Sequence, residues 1–234
     1  MARINHAQET QANNNPTSKY LEWKSNDKSF SYYDKALGEK VELKLPVKFA
    51  FLQHYHTVKG FSDASNSGIY ANEVFWIGSE EMTVRSFKGG VIAEGLYKDI
   101  KPKIVNAGGK YNRSVYVMME DGTIANFAFK GAVVKEWSDF YGEKENLLDN
   151  QWVEITEAKD EKKGSVKYTV PVFTVGKPIG NDVAKMAQER ADELGAETIQ
   201  HMMKELPQLD VSRIDDVIVG NAMPEGAQGL NMAR

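Results

Sequence analysis

From Val41 to Leu52 the chain alternates. Val41, Leu43, Leu45, Val47, Phe49 and Phe51 fall on one side of an extended strand, and Glu42, Lys44 and Lys48 on the other. A period of two predicts a half-buried strand, and Pro46, with no N–H to offer a ladder, predicts an edge or a bulge there. The same criterion predicts strands over 30–33, 70–77, 82–87, 114–119, 123–129, 152–157 and 166–175, with a turn at Asp121-Gly122. A 3.6-residue spacing places Val133, Val134, Trp137, Phe140 and Tyr141 on one helical face over 132–141. A shorter helix is expected over 98–107, opening near Asp99 with Pro102 in its first turn and stopping at Gly108-Gly109.

Many short strands, glycine turns and one or two helices make the expected fold mainly β. The leading arrangement over 20–177 is a small five-stranded barrel of the oligonucleotide-binding (OB) type with helical insertions. Residues 1–19, rich in Asn and Gln, are expected to form a disordered arm because they bury too little to offset ordering entropy.

The pattern changes after Gly176-Lys177-Pro178-Ile179-Gly180, a stretch of linker composition. A helix capped by Asn181 or Asp182 would carry Val183, Ala187, Leu194, Thr198, Met202 and Leu206 and end at Pro207. A short strand at Asp216–Gly220 and a helix start at 226–234 complete a helix–strand–helix fragment over 178–234. Composition marks the same boundary. All 4 Trp, 10 Tyr and 10 Phe lie between Tyr20 and Phe173. Residues 1–177 carry 24 Lys and Arg against 23 Asp and Glu, and residues 178–234 carry 5 against 10, so the excess acid lies in the second segment.

Chemistry is sparse. With 0 Cys there is no thiol nucleophile, thiolate metal site or disulfide scaffold, which suits a reducing compartment. No phosphate loop, dinucleotide-binding glycine motif or GxSxG elbow occurs, and Gly108-Gly109-Lys110-Tyr111 has the wrong spacing for the first. His54 and His56 would share a strand face, either as metal ligands or as polar residues on the solvated side. Glu80-Glu81 and Asp215-Asp216 point apart on strands and make poor acid/base couples. The first fifteen residues lack the apolar core of a secretory signal, and the longest apolar run, Val115–Met119, is far too short for a membrane span. The expected location is the cytoplasm, with no membrane partner and no cofactor.

Aromatic and basic residues are interleaved from Tyr70 to Lys130. Arg85 and Phe87 should face away from Met82 and Val84, with Lys88 just beyond and Tyr70, Phe75 and Trp76 on the strand before. Lys101, Lys103, Lys110, Tyr111, Arg113 and Tyr116 follow, then Phe127, Phe129 and Lys130. Rings on which bases stack and cations that track phosphates are what a single-strand binder needs. The ordinary alternative is an aromatic β-core with lysine on its solvated faces.

The stretches NPTSKYLEWKSNDKSFSYYDK, LPVKFAFL, VKGFSDASNSGIYANEV, TVRSFKGG, GLYKDIK, GGKYNRSVYV and FKGAVVKEWSDF, together covering most of 15–177, resemble a family of single-stranded-DNA-binding proteins of crAss-like bacteriophages. The resemblance implies a non-catalytic role in a phage replication module, in the host cytoplasm. Single-stranded DNA is the implied partner, and phage replication proteins and a second copy of the chain are further candidates. It also implies a short acidic tail. Instead, ADELGAETIQHMMKELPQLDVSRIDDVIVGNAMPEGAQGLNMAR (191–234) is similar to the N-terminal part of thiolases, whose cysteine nucleophile has no counterpart here. Without a thiolate no acyl-enzyme forms, so this segment is expected to be an inactive fused fragment. The remaining alternative is a phage interaction or structural module that binds no nucleic acid.

Overall fold

The computed structural model describes residues 17–205, the side chains of 196–205 excepted. The described chain is mainly β. In order it forms β1 (Thr17–Lys24), β2 (Ser29–Asp34), β3 (Glu39–Leu43), β4 (Val47–Ser62), β5 (Ser67–Ala71), β6 (Glu81–Ser86), β7 (Gly90–Leu96), α1 (Tyr97–Asn106), β8 (Gly109–Met119), β9 (Ile124–Lys130), α2 (Ala132–Leu148), β10 (Gln151–Lys163), β11 (Val166–Pro178) and α3 (Asn181–Glu205). Residues 17–187 make one compact unit, and the helical residues from Gln188 onward belong to a second.

The strands join in the order β3-β2-β1-β9-β8-β4-β5-β6-β7, with β10 on β4 and β11 on β10. β1 runs parallel to β9 and every other ladder is antiparallel, so the sheet is mixed. β4 organises it. At 16 residues β4 is roughly 50 Å long. One edge pairs with β8 from Phe49 to Gly60, while the other takes β10 at Val47–Phe49, a single bridge from His56 to Val74, and β5 at Lys59–Ser62. A register shift between Phe51 and Gln53 lets β4 bend between its two sets of partners.

One face of this bent sheet holds both cores. Leu21, Phe30, Phe49, Phe127, Phe129 and Ile155 pack with Trp137 of α2, which is fully buried. Further along β4, Val58, Ile69, Met82 and Val84 pack with Ile100 and Ile104 of α1. Both helices therefore lie on the inner face. Among the described residues no ladder closes the sheet between β11 and β1. The gap is spanned instead by side chains: Trp23 Nε1 donates to Thr169 O (2.8 Å), Thr169 N to Ser25 Oγ (2.6 Å), and Thr169 Oγ1 to Ser25 O (2.6 Å).

Several expectations are corrected. The strand over 41–52 is two strands, since the chain leaves the ladder at Lys44–Pro46 and Pro46 cannot donate to one. The strand over 70–77 ends at Ala71, because the Asn72 side chain takes over the backbone's bonds. Its Nδ2 donates to Glu81 O (3.2 Å) and its Oδ1 accepts from Thr83 N (2.8 Å). Phe75 and Trp76 thus stand in a loop. Pro102 lies inside α1, which starts at Tyr97, and α2 runs on to Leu148. β1, β7 and the second half of β4 have no predicted counterpart. Thr17–Lys19 of the expected arm already belong to β1, and the expected linker is occupied by β11 as far as Pro178, with Ile179 N bonded to Asn150 O (2.9 Å). Of the helix stripe, Val183, Ala187 and Leu194 lie on α3, while the side chains of Thr198 and Met202, Leu206 with the stop at Pro207, the arm over 1–16 and the elements expected at 216–220 and 226–234 lie outside the described residues.

Candidate nucleic-acid interface

Residues directly opposite one another on neighbouring strands share a face. Lys110 pairs with Lys59, Lys59 with Tyr70, and Tyr70 with Arg85, so β8, β4, β5 and β6 contribute one continuous row. The inward-facing neighbours Val58, Ile69 and Val84 are core, which puts the row on the outer face. Phe87, just past β6, stacks on Tyr70 with ring centroids 4.6 Å apart and planes at 29°. Phe87 is 74% exposed and Tyr70 39%. The stack fits because residue 68 is glycine: a Cβ there would lie 3.2 Å from the Phe87 ring. Phe61, opposite Gly68 and 52% exposed, extends the aromatic surface.

Adjacent rows on the same face are polar. Asn112 lies between Thr57 and Lys130, and Asn126 lies between Tyr116 and Tyr20. The small polar residues form a buried floor, where Asn126 Nδ2 donates to Ser114 Oγ (2.5 Å), Asn112 Nδ2 to Lys110 O (2.8 Å) and Thr57 Oγ1 to Ala71 O (3.2 Å). Tyrosines and lysines rise around it. Tyr55 and Tyr116 meet edge to face at 5.9 Å, and the Lys59 ammonium lies 5.9 Å from the centre of the Tyr20 ring. Burial pulls the Lys59 pKa below its usual value, with the Glu73 and Glu22 carboxylates opposing. Burial raises the Tyr116 phenol, and the Glu73 carboxylate, which accepts a hydrogen bond from its hydroxyl at 2.9 Å, raises it further. Lys130 reaches Glu22 Oε2 (3.3 Å), which Lys24 also contacts (3.1 Å).

Of the residues expected to bind, Tyr70, Arg85, Phe87, Lys110, Tyr116 and Lys130 belong to this surface, all but the half-buried Tyr116 exposed, and Lys88 is exposed in the turn that follows Phe87. Phe75 and Trp76 form an edge-to-face pair (4.6 Å) in the loop beside β4, and the indole is 54% exposed. The others lie elsewhere. Phe129 is a core residue, 1% exposed, because its position on β9 points inward beside Phe127. Lys101 and Lys103 ride on α1, which packs on the inner face. Tyr111 and Arg113 also face inward, by strand parity with Val115 and Val117. Tyr20, Tyr55, Lys59 and Phe61 also stand on this face, though nothing in the linear pattern distinguishes them. Their signal is parity along β1 and β4, and it becomes readable only once the pairing is known.

The histidine pair is inward-facing as well, not solvated. Trp137 Nε1 donates to His54 Nδ1 (3.1 Å), while His56 lies between Tyr111 and Arg113. Burial draws His54 down to about 3 and His56 to about 4, with the Arg113 charge adding to both. Among the described residues no group of three His, Cys, Asp or Glu could hold a metal ion, and no helix is long and apolar enough to cross a membrane. No known protein family, curated protein or solved structure matches the chain.

Proposed function

We propose that this chain is a non-catalytic single-stranded-DNA-binding protein of low sequence specificity, serving a phage replication module. The observation that carries the reading is the outer-face row Lys110–Lys59–Tyr70–Arg85 with Phe87 stacked on Tyr70. Exposed rings offer stacking to any base, and cations on either side of them offer contacts to the phosphates between bases.

Connectivity supports the same reading. The run β4–β8–β9, then α2, then β10–β11 follows the strand and helix order of an OB barrel, with β4 as the long bent first strand paired to both β8 and β10. On that alignment β1 and β2 occupy the gap where the barrel's third and fifth strands would meet, and the β5–α1 segment is a large insertion in the first loop. The outer face of the second and third strands, with that loop, is where OB folds hold oligonucleotides. Here it carries Lys110, Tyr116 and Lys130, with Tyr70 and Phe87 in the loop insertion.

Titration of the chain with fluorescent oligo-dT at two salt concentrations tests the proposal. Binding that weakens steeply with salt supports it, and no binding at low salt removes it in favour of a protein-interaction module.

A further inference from the structure

Beyond the stacking surface, the outer face continues into a cavity of about 800 Å3 lined by β1, β2, β3 and Ala158 of β10. Four lysines line it: Lys24, Lys28, Lys40 and Lys44, against two carboxylates, Asp27 and Glu42. Lys28 is paired with Asp160 (3.1 Å) and Lys24 with Glu22. Among the described residues no ion pair engages Lys40 or Lys44, and both are exposed. The lining thus holds four cations against two carboxylates; Asp160 and Glu22, which offset the difference, engage Lys28 and Lys24 and leave Lys40 and Lys44 uncommitted.

Its position matters as much as its charge. Lys24 pairs with Ser29, Glu22 with Ser31 and Ser31 with Glu42, so these groove residues lie on the same face as Glu22. Glu22 in turn binds Lys130 of the stacking surface. From Tyr70 on β5 to Lys40 on β3 the face crosses β4, β8, β9, β1 and β2. At about 4.8 Å per strand step that is roughly 30 Å.

Resting on the reading of the outer face as a single-strand site, we infer that the lysine groove between β1–β3 and β10 is its second segment, one that grips the phosphate backbone without stacking bases. The chemistry favours phosphate over a protein partner. The lining has lysines in quantity and no aromatic ring of the kind that dominates protein hot spots; the exposed Tyr33, opposite Lys40, is a single ring outside that lining. A strand lying on the rings at Tyr70 and Phe87 would pass Lys59 and Lys130 and enter the groove at Lys24. At the stacked spacing of 3.4 Å the path holds about nine nucleotides, within the range of one OB-sized domain.

The test compares oligo-dT of about 25 nucleotides with oligo-dT of about 5, using the full chain and a Lys28→Gln/Lys40→Gln/Lys44→Gln variant. The three positions are exposed, and circular dichroism verifies folding. Removing two uncommitted cations, and a third that a phosphate must win from Asp160, should flatten the salt dependence of long-oligonucleotide binding by about 1.4 to 2 log units per log unit of salt and weaken it about tenfold or more at low salt. Short-oligonucleotide affinity should not change. Unchanged affinity and salt slope for the long oligonucleotide would overturn the groove assignment while leaving the stacking surface intact. Failure of the unmodified chain to bind either oligonucleotide would remove both.

Discussion

Arg113 of β8 stands directly opposite His56 of β4, and its guanidinium donates to the imidazole Nε2 at 2.5 Å. Because that nitrogen must accept, a neutral His56 carries its proton on Nδ1 and gives it to the Tyr111 hydroxyl oxygen at 2.5 Å. His54, two residues away, accepts from Trp137 at Nδ1 and so holds its proton on Nε2. The seam between the two cores is thus built around two uncharged histidines facing one cation, with the Tyr111 and Tyr141 phenols beside it.

This arrangement predicts acid sensitivity. In the unfolded chain the histidines take up protons below about pH 6.5, whereas folded His56 and His54 resist until about 4 and about 3. The unfolded state therefore binds more protons as pH falls, and their contribution to stability, full above about 6.5, is lost progressively on the way down. Thermal unfolding midpoints should fall between about pH 7 and about pH 5, and less so in His56→Gln. A midpoint flat across that window would refute the neutral-histidine seam.

The Trp23–Thr169–Ser25 contacts do what a strand ladder would otherwise do between β11 and β1. Trp23→Phe keeps the ring but leaves the Thr169 carbonyl without its buried donor, at a cost of about 1–3 kcal/mol. Chemical denaturation should register that loss, and amide exchange should rise in β11 around Thr169 more than in β8. Uniform protection in both strands would show that the side-chain closure carries little.

Phe129 and Phe87 look alike in the sequence, each an aromatic at a strand end beside a lysine. The fold separates them. Phe129→Ala opens a cavity against Trp137 and Phe173 and should cost about 3–5 kcal/mol in stability, with little change in the oligonucleotide affinity of the folded protein. Phe87→Ala should do the reverse, leaving the unfolding midpoint nearly unchanged and weakening binding.

Residues 188–234 carry four basic and nine acidic residues, so they repel a phosphate backbone and can compete for its cations. Ending the chain after Ala187, the last residue of the compact β unit, should preserve the unfolding midpoint. It should leave oligo-dT affinity equal or stronger at low salt. Weaker binding by the shortened protein would mean that this segment contributes contacts of its own.

Much of the β organisation was legible in the sequence because period two survives wherever one face is buried. Met82 and Val84 point inward and Arg85 outward, as the alternation predicts. It failed where the alternation carried no pairing information. Val41–Leu43 and Val47–Phe49 share one unbroken pattern yet belong to separate strands, since only Pro46 marks the break. β7, with Gly90 and Gly95 at its ends, has too little contrast to be noticed. The binding face was half legible for the same reason. Lysines and rings can be counted along the chain, but Lys59 meets Tyr70 and Lys110 only through the β4 ladders, and Tyr111 and Arg113 turn inward by a parity that the nearby charges disguise.

Single-strand binding is proposed to depend on the ring stack at Tyr70 and Phe87, so the decisive measurement is oligo-dT affinity of the unmodified chain beside a Tyr70→Ala/Phe87→Ala variant at low and moderate salt. Loss of two stacking contacts, each worth about 1–3 kcal/mol, should weaken binding about thirtyfold or more while leaving the salt slope in place, because the lysines remain. Equal affinity of the two proteins would show that these rings hold no bases.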